Sequence, residues 1–159
     1  MATLRITPPK VTASYSDHHG RQGDEAPSQT WVDGNLISPN ANGQFIESPV
    51  GAAAVGLKHR ISTVIGQQLA VPVRRTEYVD PNIALTFEVT AGGAAATNVN
   101  IRTGLTYGLL KDATTGAHYL NLTDTVNAIF KIEDNVLKAG VLGADTNVRV
   151  LVSLLAASR

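Results

Sequence analysis

Cysteine is absent from this chain of 159 residues. Disulfides and thiolate metal sites are excluded with it, so unusual stability would have to come from packing or assembly. Charge is sparse as well. Asp, Glu, Lys and Arg make up 16% of the residues, below the usual quarter of a soluble chain. The 13 basic and 13 acidic residues cancel to a formal net charge of zero. A general nucleic-acid binder needs a basic surface to displace counterions, and a membrane-surface protein of the polybasic type needs the same excess. Neither a nucleic acid nor a membrane is therefore expected as a direct partner. Long apolar runs are missing: no window approaches the roughly 18 residues of a spanning helix. Met1 to Pro9 lacks the apolar run of a signal peptide, and synthesis in a cytoplasm is expected. Aromatic residues are only 5%, which leaves little for the stacking platforms that small sugar-binding β-modules use.

What fills the space is Ala, Thr, Asn, Gly and Val. A lightly charged surface is expected where other subunits cover it. The length suits one domain with an arm, and a compact domain of this size buries about 68–70% of its unfolded surface.

The strongest periodic stretch runs from Ile83 to Thr90. Ile83, Leu85, Phe87 and Val89 alternate with Ala84, Thr86, Glu88 and Thr90, as on a half-buried strand. Asp80-Pro81-Asn82 opens it and Ala91-Gly92-Gly93 closes it. Val148, Val150, Val152 and Leu154 alternate in the same way. Leu105 to Leu110 and His118 to Leu122 flank Lys111 to Ala117 as a long-looped hairpin. Asp33-Gly34 and Asn42-Gly43 supply the positive φ of tight hairpin turns. Further strands are expected at Val55–Leu57, Ile61–Ile65, Leu69–Val73, Val99–Ile101 and Val126–Ile132. A capped helical turn at Thr123 or Asp124 competes with the last of these. Asp134-Asn135 and Gly140 read as turns. Pro72 cannot donate to a ladder, which places its strand at an edge or bulge. Strands recurring this often, with Gly, Asn and Asp between them, predict an all-β fold: a compact sandwich or small barrel.

Residues 1–30 differ. Pro8, Pro9, Gly20, Gly23 and Pro27 interrupt a polar stretch in which apolar residues are scattered. It reads either as a disordered tail or as an extended arm ordered on a neighbouring subunit. The domain proper is then 31–159. Leu4, Ile6 and Tyr15 in the arm, Trp31 beside it and Pro72 are the candidate subunit contacts. Trp31, the single tryptophan, is read as an interface anchor or as an ordinary core residue.

Chemistry is hard to place. Asp17-His18-His19 matches a triplet of metal-dependent phosphoesterases but has no strand of further ligands before it. His59 and His118 lie beside strand ends with no evident partner. Lys58-His59-Arg60 reads as a solvated basic face. No nucleophile elbow or phosphate loop is present. Asn121-Leu122-Thr123 is a chance glycosylation match without a secretory signal. No catalytic activity, cofactor or metal is expected.

One resemblance bears on function. Tyr78-Val79-Asp80-Pro81-Asn82 leading to Phe87-Glu88-Val89, followed by a small-residue loop, resembles tailed-phage virion structural proteins of the capsid decoration, or cement, type. The Gly-turned segments Asp33 to Ile37 and Asn42 to Ile46 and the last strand Val148 to Val152 belong to the same likeness, which covers Trp31 to Leu155. It implies a protein that binds the outside of an assembled capsid as a homotrimer. Its partner would be the major capsid protein, and its place the virion exterior. A tail, fibre or head–tail junction protein is the alternative, and a ligand-binding β-module a third reading.

Overall fold

Leu85, Phe87 and Val89 are all buried, as their alternation requires. A computed structural model describes residues 4–11, 21–68, 75–81 and 85–159; Ile83, the first member of that alternation, lies outside them. The described residues form β1 (Lys10–Val11), β2 (Arg21–Asp24), β3 (Leu36–Pro39), β4 (Phe45–Glu47), β5 (Arg60–Ser62), β6 (Arg75–Val79), β7 (Phe87–Gly92), β8 (Thr106–Lys111), β9 (His118–Asn121), β10 (Phe130–Ala139) and β11 (Val148–Leu154), with short 3-10 turns at Gly51–Ala54 and Ala156–Ser158. The fold is all-β, and its centre is a closed five-stranded barrel.

The barrel runs β7-β11-β10-β8-β9 and closes where β9 pairs in parallel with β7, Ala91 against Leu120 and Gly92 against Asn121. The other half of that β7 edge is taken by β1, with Lys10 opposite Glu88 and Val11 opposite Phe87. β11 alternates strictly, Val148, Val150, Val152 and Leu154 facing in. Phe87 and Phe130 meet edge to face inside the barrel, with centroids 6.1 Å apart. That geometry suits the quadrupoles of the two rings.

The second sheet runs β2-β6-β5-β3-β4. A parallel bridge between Glu25 and Phe45 brings its two edges together. Period two splits its residues between two cores. Leu36, Ile61 and Val79 join the barrel core, whereas Trp31, Ile37 and Phe45 form a smaller core with Tyr78.

Several local expectations fail for identifiable reasons. Asn42-Gly43 turns the β3–β4 hairpin as expected, with Gly43 at φ +75°. Asp33-Gly34 also turns, but no strand precedes it: Asn35 N–H closes the turn onto the Val32 carbonyl. Val55–Leu57 is a turn, because the amides of Val55 and Leu57 continue the preceding 3-10 turn to the Ala52 and Ala54 carbonyls. Val99–Ile101 is a turn pinned by Asn100, whose Oδ1 accepts from Thr97 N–H at 2.7 Å. At 124–127, Asp124 Oδ1 accepts from the amides of Val126 and Asn127 in the manner of a cap. No helix follows, and the strand starts only at Phe130. Asp134-Asn135 does not turn the chain; β10 continues through a register shift there. The Leu69–Val73 strand lies outside the described residues.

The described parts of the segment before Trp31 pair with strands of the same chain. Residues 10–11 pair with β7, and 21–24 form four rungs with β6. Alternation could not reveal either strand, since one has two residues and the other reads Arg-Gln-Gly-Asp.

Candidate functional site

Residues 4–11 lie along the barrel as a strap, and side chains rather than a ladder hold most of it. Two prolines remove the N–H groups that a ladder would need. The strap's carbonyls are taken up instead by donors on the barrel. Arg149 Nη1 faces Thr7 O at 3.1 Å, Thr7 Oγ1 at 2.8 Å, Pro8 O at 3.0 Å and Thr90 Oγ1 at 3.2 Å. Its other terminal nitrogen lies 3.7 Å from Glu88 Oε2. Asn147 Nδ2 donates to Leu4 O at 2.7 Å, and Thr7 N–H donates to Thr90 Oγ1 at 3.2 Å. Burial pulls the Arg149 pKa down, and Glu88 opposes that.

The second sheet grips the same strap from below through Gly34. Its φ is +92°, and a Cβ there would lie 2.2 Å from Pro9 O. Gly34→Ala should therefore cost about 1–2 kcal/mol for the backbone alone, plus whatever the displaced strap loses. A thermal melt should shift down by about 2–8 °C for the backbone cost and further for the strap; a fall no larger than the backbone cost would mean that the strap yields freely, and an unchanged midpoint would remove both contributions. A cleft of about 440 Å³ opens alongside, between Pro8–Val11 and Ile61–Thr63.

Polar side chains join the barrel to the second sheet. Asn35 is fully buried. Its Oδ1 accepts from His118 N–H at 2.8 Å, and its Nδ2 donates to Gly116 O at 2.8 Å and Glu47 Oε1 at 2.9 Å. Leu36 N–H donates to His118 Nδ1 at 3.0 Å. That bond fixes the tautomer: the ring proton sits on Nε2. There it faces Glu47 Oε1 at 3.6 Å, too far for a hydrogen bond. Glu47 Oε2 is held by Lys111 Nζ at 2.7 Å. Burial first, then the nearby charges of Lys111 and His59, push the His118 pKa down to about 3.

His59 is sealed too. Its Nε2–H donates to Ala54 O at 2.9 Å, so Nδ1 accepts the Ser48 hydroxyl at 2.8 Å. Burial lowers its pKa, with Ala54 opposing and Arg60 assisting. A Ser–His contact of this kind activates a nucleophile only where a substrate carbonyl can reach the oxygen. Ser48 is 3% exposed and His59 0%, so the pair serves as internal bonding. Of the basic cluster 58–60 only Lys58 is solvated: His59 is internal, and Arg60 pairs with Asp80 at 3.4 Å.

No protein-family model, curated protein or solved structure matches the chain.

Of the candidate contacts, Leu4 and Ile6 are half-buried in the strap, against their own barrel. Trp31 is 1% exposed and donates through Nε1 to Val64 O at 2.8 Å. It takes the core alternative, because its indole closes the small second core. Tyr15, Pro72 and the triplet Asp17-His18-His19 lie outside the described residues. Among the described residues no group of three or more His, Asp or Glu side chains is placed to hold a metal. No local pattern marks Arg149 as the strap's anchor. Its only trace was a lone arginine on the outward face of a β-branched strand.

Proposed function

We propose that the chain is a structural virion protein that binds the outer surface of an assembled tailed-phage capsid and clamps adjacent capsid subunits. The observation that supports this most is the display of apolar side chains on separate turns of a closed β framework. Val126 is 87% exposed, Val99 69% and Val141 61%. Each sits on a different connection, on a chain with zero formal net charge. Contacts that are modest singly combine through effective concentration when one rigid body presents several at once. The residues behind the family likeness serve as scaffold: Phe87 is core, and Asp80 pairs with Arg60. The partner in this reading is the major capsid protein, with the decoration subunit assembling as a homotrimer.

The test is composition. Purified particles of the encoding phage should contain this chain in amounts comparable with the major capsid subunit. A few copies per particle would move the site to the tail or the head–tail junction. Absence from the particle would end the reading.

A further inference from the structure

The strap is bound to its own barrel in the way a peptide ligand is bound. Its backbone makes two ladder rungs with β7, side chains on the barrel bond its carbonyls and the Thr7 N–H, and Val11 packs against the barrel core. Pro8 and Pro9 hold it extended before it docks, so little chain entropy is lost on binding. Every group that grips it lies elsewhere in the sequence: Gly34, Thr90, Asn147 and Arg149. The cradle is complete without a covalent link to the strap.

We infer that the cradle formed by Thr90, Asn147 and Arg149 takes the residue 4–11 strap of a second copy of this chain, so that neighbouring copies exchange straps. Exchange keeps each strap contact and swaps only which copy supplies it, which makes it a low-cost route to assembly. The competition is between a tethered and an untethered strap. A short tether corresponds to an effective concentration on the order of millimolar. Dilute copies keep their own straps, and copies crowded together trade them. The inference concerns contacts between copies and stands whatever surface the assembled copies cover.

The chain's lack of cysteine makes the test clean. Thr7 Oγ1 and Thr90 Oγ1 lie 3.3 Å apart, so cysteines substituted there meet side chain to side chain, and closure of the double variant checks that the pair can be joined. Full-length Thr7→Cys and Thr90→Cys single variants are mixed at about 1 mM, comparable with the tether's effective concentration, and at about 1 μM, far below it. Both are then oxidised, and the linked peptides are identified by mass spectrometry. Exchange predicts a position 7 to position 90 cross-link between chains at the high concentration. It should fall at least tenfold on dilution and be lost when Arg149→Ala is added. The double variant in one chain, oxidised dilute, should close within the monomer. No interchain link at high concentration, with that internal link formed, overturns the inference. So does a link that is indifferent to Arg149→Ala, which would mark random collision. Wild-type sedimentation over the same range is the check free of substitutions at 7 and 90. A monomer throughout counts against exchange, and concentration-dependent association lost in Arg149→Ala supports it.

Discussion

Lowering the pH from about 7 to about 5 should cost the fold about 2 kcal/mol through His118 alone. The sign follows from the two proton affinities. The unfolded histidine titrates at its ordinary 6.5, and the folded one at about 3. Between those values the unfolded chain binds a proton that the folded chain refuses, so stability falls as pH falls. The slope approaches about 1.4 kcal/mol per pH unit. His59 pulls the same way, since its pKa is also lowered by burial. Asp112, Asp124 and Glu133, whose pKa values are lowered by hydrogen bonds, add to acid lability only nearer the ordinary carboxylate range. The interval above about pH 5 therefore isolates the histidines. Urea midpoints measured across it should slope in the wild type and slope less in His118→Asn, where His59 remains and the amide oxygen can still accept from Leu36 N–H. An equally steep profile in the variant would assign the lability elsewhere.

Trp31→Ala should cost about 3–5 kcal/mol, the range for removing a large buried aromatic. The indole fills the small core against Ile37 and Phe45, and its loss also leaves the Val64 carbonyl without its donor. For a chain of this size that corresponds to a fall of roughly 6–20 °C in Tm. Trp31→Phe separates the two contributions, keeping most of the ring volume and losing the N–H, and should cost about 1–3 kcal/mol. A near-neutral Trp31→Ala would mean that the second sheet does not depend on its own core. The same residue gives a direct optical check. Its fluorescence should be blue-shifted in the folded chain alone, with no partner added.

The barrel was the legible part of the fold. β11 alternates throughout and β7 alternates in sequence from Phe87 to Thr90, and the β8–β9 hairpin is bounded by apolar runs, so local pattern and global packing agree. The second sheet was read in fragments. Its β3 and β5 residues serve two cores, and Leu36 beside Ile37 blurs the period because both are buried. The strap was illegible for a different reason. It is fixed by Arg149 and Asn147, more than 140 residues away in sequence, and a segment held by others' side chains carries no periodicity of its own. His59 and His118 stood without partners in the sequence because their partners come from the fold. Leu36 N–H is 82 residues from His118. Turns won at Val55 and Val99 because nearby hydrogen bonds satisfied the backbone before any neighbouring strand could.

The position of β11 sets the order in which the barrel can be made. It follows every other described strand along the chain, yet it lies between β7 and β10 and pairs with both. Until residues 148–154 have left the ribosome, those two strands each keep an open edge, and the barrel has a gap at its middle. Closure is then a late step that joins distant parts of the chain, the kind that slows folding. Exposed edges are also sites of pairing between nascent chains. Production of this protein should therefore be most sensitive to crowding in the interval before residues 148–154 become available, and Val148, Val150 and Val152 are the residues whose arrival relieves it.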